Sequence, residues 1–123
     1  MREKVGGLIQ SASGEQTMLN CWGKPSPWVD YSGPVGDKTY GVAIFDAPKN
    51  FRPSRHHVRD YGLFSISPFG EGAYQNDAAK KQVVHLNDEH PSLQLTYGLY
   101  VHGGDALAGK VARAYAQFAQ AVK

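Results

Sequence analysis

Between Ser92 and His102 the chain alternates with a period of two. Leu93, Leu95, Tyr97, Leu99 and Val101 stand on one side, Gln94, Thr96, Gly98, Tyr100 and His102 on the other. Successive side chains of a strand point to opposite faces, so the pattern predicts a strand with an apolar core face and a polar outer face. Gly103-Gly104 ends the alternation, and Asp105 is placed to N-cap the one convincing helix. Leu107, Val111, Tyr115, Phe118 and Val122 fall on one stripe at helical spacing, in an Ala-rich segment of high helix propensity. A strand, a glycine pair and a closing helix therefore frame the C-terminal end of the fold.

The upstream segments read as short strands fenced by turns. Gly6–Gln10 and Gln16–Asn20 form two, joined by a turn at Ser11–Gly14, and Trp28–Tyr31 forms a third between prolines. Lys38–Asp46 is apolar on both faces, as expected of a central strand covered on two sides. Ala47–Asp60 holds two prolines and the basic cluster Lys49, Arg52, Arg55, His56, His57 and Arg59, and reads as a loop. Tyr61–Ser67 and Lys81–Leu86 return to strand character. With 14 Gly and 7 Pro, the composition favours turns and short strands over a helical bundle. The expected fold is mainly all-β: an antiparallel β-sandwich or half-barrel of six to eight strands over about 6–102, with one C-terminal α-helix over about 105–122. Residues 1–123 are expected to form a single domain.

Charge narrows the function classes. Thirteen Lys and Arg against eleven Asp and Glu are interspersed and leave a net charge of only +2, so no nucleic-acid partner is expected. No apolar run approaches the roughly 18 residues that cross a bilayer, and no membrane partner is expected. Met1–Gly7 lacks the apolar core of a signal peptide, which makes a cytoplasmic location the default expectation. Cys21 is the single cysteine, set among apolar neighbours, and excludes an intrachain disulfide and a thiolate cluster.

Two regions carry candidate chemistry. In Arg52–Tyr61, extended geometry sets His57 on one side with Arg55 and Arg59, and His56 on the other with Val58 and Asp60. His57 and Arg59 either face an anionic or polyhydroxylated ligand, or Arg59 and Asp60 serve as scaffolding. His102 ends a strand beside a glycine pair, either as a ligand-binding or catalytic group or as a satisfied strand-end histidine. His57 and His102 with Asp46 or Asp60 also make up the two-histidine, one-carboxylate set of a facial metal triad, although none stands at a tight ligand spacing. Trp22, Trp28, Tyr31 and Tyr40 are either the aromatic floor of a sugar site or plain core.

Four strings in order add a resemblance: Trp22-Gly23-Lys24 with Pro27–Gly33, Gly41–Asp46 with Pro48-Lys49-Asn50, His57–Phe64 through Pro68-Phe69-Gly70, and Tyr100–Asp105. Over roughly residues 6–118 they resemble the C-terminal part of a bacterial family labelled methane oxygenase PmoA, distinct from the membrane-embedded methane monooxygenase subunit of that name. The resemblance implies a β-sandwich akin to the galactose mutarotases and a role linked to carbohydrate. Asp46, Asn50, Arg52, His57, Arg59, Asp60 and His102 match family positions. Ala47 stands where the family has a histidine, Arg52 runs directly into Pro53 without the histidine of the family's Arg-His-Pro, and His56 stands where the family has Trp.

Together these readings make His57, His102, Arg59 and Asp60 the expected catalytic set. Asp46, Asn50, Arg52, Trp28 and Tyr31 are the expected substrate contacts. The first expectation is histidine acid–base chemistry on a sugar or sugar-derived ligand, as in a lyase or epimerase, without a cofactor. Two alternatives stand beside it: an oxidative enzyme holding Cu, Fe or Mn on His57 and His102, and a non-catalytic binding or assembly module. Because the resembled family is longer, the chain reads as part of a sandwich, and a homodimer burying more than about 1,200 Å² is expected to supply the missing layer.

Overall fold

The computed structural model describes residues 6–81 and 83–123. The expectations for Met1–Val5 and for Gln82 lie outside the described residues. Six strands are seen among the described residues: β1 (Leu8–Ser11), β2 (Trp28–Val35), β3 (Lys38–Asp46), β4 (Arg55–Val58), β5 (Phe64–Ser67) and β6 (Tyr97–Gly103). Three helices accompany them, α1 (Met18–Cys21), α2 (Glu71–Tyr74) and α3 (Val111–Ala121). The fold is mainly β, in two antiparallel sheets with a C-terminal helix.

The larger sheet has the order β1-β2-β3-β6, and β4-β5 form a separate hairpin. A tight turn with Gly36 at φ 66° joins β2 to β3, and their register runs from Trp28↔Phe45 to Val35↔Lys38. β6 then pairs with β3 from Tyr40↔Gly103 to Asp46↔Tyr97. Because side chains alternate, the large sheet has two apolar faces and each supports its own core. On one face Ile9, Val29 and Tyr31 pack with Cys21, Val58 and Phe64, so α1 and the hairpin cover it. On the other, Trp28, Ala43 and Phe45 pack with Ala106, Val111, Tyr115 and Phe118, so α3 covers it. Small residues make the helix fit: a side chain at Gly98 would run into the Phe118 ring.

Several sequence expectations change in the structure. Gln16–Asn20 is not a strand; Gln16 makes one bridge to Gln10, and the chain then turns into α1. The basic segment is not all loop, because Arg55–Val58 forms β4. Residues 83–86 and 92–96 carry no regular structure, so the last strand is shorter than its alternation. Asp105 does not cap α3; its Oδ1 accepts from Ala108 N at 2.9 Å and closes a turn, while Lys110 at φ 53° precedes the helix. The largest correction concerns β6. Leu99 and Val101, on its expected core face, are 74% and 72% exposed, while the opposite side carries Gly98, Tyr100 and His102 into the helix-covered core. β6 is an edge strand, and α3 returns over its Tyr100 side.

Candidate functional site

The end of β3 runs into a cleft built by side-chain pairing of the following loop. Asp46 is buried. Its Oδ1 accepts from Asn50 Nδ2 at 2.8 Å, and its Oδ2 accepts from Ser54 N at 2.8 Å. Asn50 in turn imitates a strand residue: its Nδ2 donates to Thr96 O and its Oδ1 accepts from Thr96 N, both at 2.8 Å. The amide thereby continues the pairing of the two strands one step past their ladder. Ser54 Oγ and the Tyr97 hydroxyl share a hydrogen bond of 2.9 Å beneath the same loop. The Tyr115 hydroxyl donates to Asp46 O at 3.1 Å, and burial followed by the nearby Asp46 charge pushes its pKa up, so it stays protonated.

Above this scaffold lies a cleft of about 360 Å³, walled by Pro25, Pro27, Pro48, Pro53 and the Tyr115 side chain, with Arg52 at its rim. Arg52 Nη2 donates to Glu71 Oε2 at 2.7 Å, while its Nε is buried and has no partner among the described residues. Arg55 steadies the same carboxylate at 3.5 Å and donates to Gly23 O at 2.8 Å. The hydrogen bond from Arg52, helped by the charge of Arg55, holds Glu71 below the usual carboxylate range. The guanidinium is thus oriented from one side by a fixed carboxylate.

The expected histidine pair is not assembled. His56, not His57, faces the large sheet; it is 0% exposed and its Nε2 donates to Ile44 O at 3.3 Å. His57 points the other way and meets Trp22 and Tyr74 edge-on, at ring separations of 5.9 and 5.7 Å. His102 lies on the helix-covered face, so the four-stranded sheet stands between it and His57. A shared metal or a paired acid–base role for these two is thereby excluded by geometry. Among the described residues no group of three His, Cys, Asp or Glu side chains is placed to hold a metal ion.

The remaining expected residues divide between core and turn. Arg59 and Asp60 sit in the β4–β5 turn, where Arg59 N donates to Leu63 O at 2.9 Å and its guanidinium lies 5.9 Å from the Tyr61 ring. Arg59 O also accepts from the Tyr31 hydroxyl at 3.0 Å, which gives it a scaffolding position. Trp28 and Tyr31, expected as sugar contacts, are 6% and 1% exposed and belong to the two cores on opposite faces. Only Asp46, Asn50 and Arg52 of the expected set meet at the cleft.

Sequence reasoning missed Asp30, Glu71 and the cleft role of Tyr115. Asp30 carried a signal, a carboxylate between Val29 and Tyr31 in a strand. Nothing local marks Glu71 as the partner of Arg52, since they lie 19 positions apart. No match was found among curated proteins or solved structures. One family model, described as a family of unknown function, matches residues 1–116. That match spans nearly the whole chain, both cores and the cleft, and the chain belongs to this family, DUF6807.

Proposed function

We propose that the chain is a carbohydrate-linked binding module whose proline-walled cleft takes a small sugar-derived carboxylate, read by Arg52. The observation that carries this reading is the convergence of Asp46, Asn50 and Arg52 on one cleft while His57 and His102 lie on opposite sides of the sheet. Asp46 and Asn50 are committed to holding the loop, so neither is available as an acid or base. Arg52 keeps donor capacity, and a planar guanidinium suits a carboxylate better than a neutral hydroxyl does. The proline faces and Tyr115 supply flat apolar walls for the C–H face of a sugar ring. The carbohydrate class itself is supported by the ordered motifs from Trp22 to Asp105.

Titration of ¹⁵N-labelled protein with glucuronate and with glucose tests this directly. Glucuronate is expected to shift Asn50, Arg52 and Tyr115, and glucose to act more weakly. Arg52→Lys should weaken the uronate about tenfold, the cost of losing a bidentate charged contact. Shifts centred on the β4–β5 turn, or none at millimolar ligand, would sink the reading.

We also propose that a second copy of the chain covers β6. Its outer face joins Leu99 and Val101 to Val42 and to the 41% exposed Tyr40, beside a seven-residue edge that pairs with no strand among the described residues. Antiparallel pairing of two β6 edges across a twofold axis closes both edges and continues the sheet. Sedimentation at micromolar concentration should show a dimer, and the double variant Leu99→Lys, Val101→Lys a monomer. A monomeric wild-type chain would remove the proposal.

A further inference from the structure

The face opposite the hairpin holds a buried acid–base pair that the cleft does not use. Asp30 on β2 and His102 on β6 are separated by β3, yet their side chains meet. They do so because β3 presents only Gly41 and Ala43 between them. A Cβ on Gly41 would stand 2.6 Å from His102 Cε1 and 2.9 Å from Ser32 Cβ, so only glycine lets the ring lean across. From the other side Gly109 closes on the ring so tightly that a Cβ there would collide with it. The Tyr100 ring stacks against it at 5.3 Å.

The ring's two nitrogens both meet acceptors. His102 Nε2 lies 2.5 Å from Asp30 Oδ1, and Nδ1 lies 3.1 Å from Gly103 O. A neutral imidazole has one N–H and can serve only one of them. Either both nitrogens are protonated against an ionised Asp30, or Asp30 carries a proton that it donates to Nε2. In both cases the pair holds one proton more than a neutral histidine beside a carboxylate. We propose that Asp30 and His102 form a one-proton clamp that pins the 103–110 turn, and with it the start of α3, to the sheet, and that losing this proton at alkaline pH releases the turn.

The surroundings favour keeping the proton. Asp30 is 1% exposed, and burial raises its carboxyl above the usual carboxylate range despite the opposing hydrogen bond and charge of His102. Asp105, in the pinned turn, pushes in the same direction as burial, and Ser32 beside it on β2 pulls weakly the other way. Asp30 Oδ2 is buried without a hydrogen-bond partner among the described residues, so a deprotonated pair leaves an uncompensated negative charge there. The turn is bracketed by left-handed backbone at Gly104 (φ 77°) and Lys110 (φ 53°), and the Tyr100 hydroxyl holds Gly109 O at 2.8 Å.

The linkage has a definite sign. Above about pH 6.5 an unfolded chain has a neutral histidine and an ionised aspartate, whereas the folded pair retains one proton. Stability therefore falls as pH rises, by at most tenfold in the folding constant per pH unit, until the proton leaves. Nitrogen-15 and carboxyl carbon-13 NMR of the full chain at pH 7.5 should find either a doubly protonated His102 ring or a protonated Asp30. On raising the pH, amide shifts of 103–110 should move with the same midpoint. Asp30→Asn should abolish the alkaline loss of stability seen in the wild type. A neutral ring beside an ionised Asp30 at pH 7.5 overturns the proposal, as does a turn whose amides ignore that titration. Should Asp30→Asn fail to fold, the wild-type spectra decide alone.

Discussion

Taking the chain from pH 6.5 to pH 4 is expected to remove about 3 kcal/mol of folding stability through His56 alone. The imidazole is fully buried beneath β3, and burial lowers its pKa to about 4, against the weaker opposing pull of Ile44 O. A histidine in an unfolded chain takes up its proton near pH 6.5, so below that pH the unfolded state binds a proton that the folded state refuses. Stability is then lost as pH falls, and the loss is complete only once the folded ring is itself protonated. His56 Nδ1 has no partner among the described residues, so nothing there rewards the charged form. Urea unfolding at pH 7, 5 and 4 checks this, with His56→Leu and His56→Trp compared by slope rather than by absolute stability. Both variants should lose much less than the wild type on acidification. An equal loss in all three chains would assign the acid sensitivity elsewhere. The His56 ring also packs against Phe64, at a ring separation of 6.3 Å.

Phe45→Ala should cost about 3–5 kcal/mol, the largest effect expected of a single truncation here. Phe45 is 3% exposed and sits where sheet and helix meet, with ring separations of 5.9 Å to Tyr100 and 5.4 Å to both Tyr115 and Phe118. α3 has only 11 residues, too few to be stable alone, so its helicity depends on this apolar seat. Phe45→Leu should cost roughly 1.5 kcal/mol or less by keeping most of the volume. Chemical denaturation measures the difference, and far-UV circular dichroism should show helix loss first in the Ala variant. Because Tyr115 walls the cleft and donates to Asp46 O, the same variant should also weaken the uronate binding proposed for the cleft. A loss below 1 kcal/mol in Phe45→Ala would mean that the helix docks by other contacts.

β3 was readable from residue 38 to 46 because its apolar residues crowd both faces, and both faces are indeed covered near its C-terminal half. α3 was legible through Val111, Tyr115 and Phe118, although Leu107 is 85% exposed and lies before the helix. Asp46, Asn50 and Arg52 of the cleft were legible only as positions carried by the family resemblance. Their dependence on Thr96 and Glu71 was not, since those partners are 46 and 19 positions away.

The sequence by itself determined a mainly β chain closed by a C-terminal helix, the span of β3, and that His56 and His57 must point to opposite sides. It did not determine which of the two histidines is buried, nor which face of β6 meets the core. A period of two separates two faces without naming the covered one. That choice belongs to contacts distant along the chain: α3 folding back over Gly98 and Tyr100, and the hairpin laying His56 against Ile44. The same long-range packing sets His57 and His102 on opposite sides of one sheet while bringing Asp30, which no local pattern links to it, against His102.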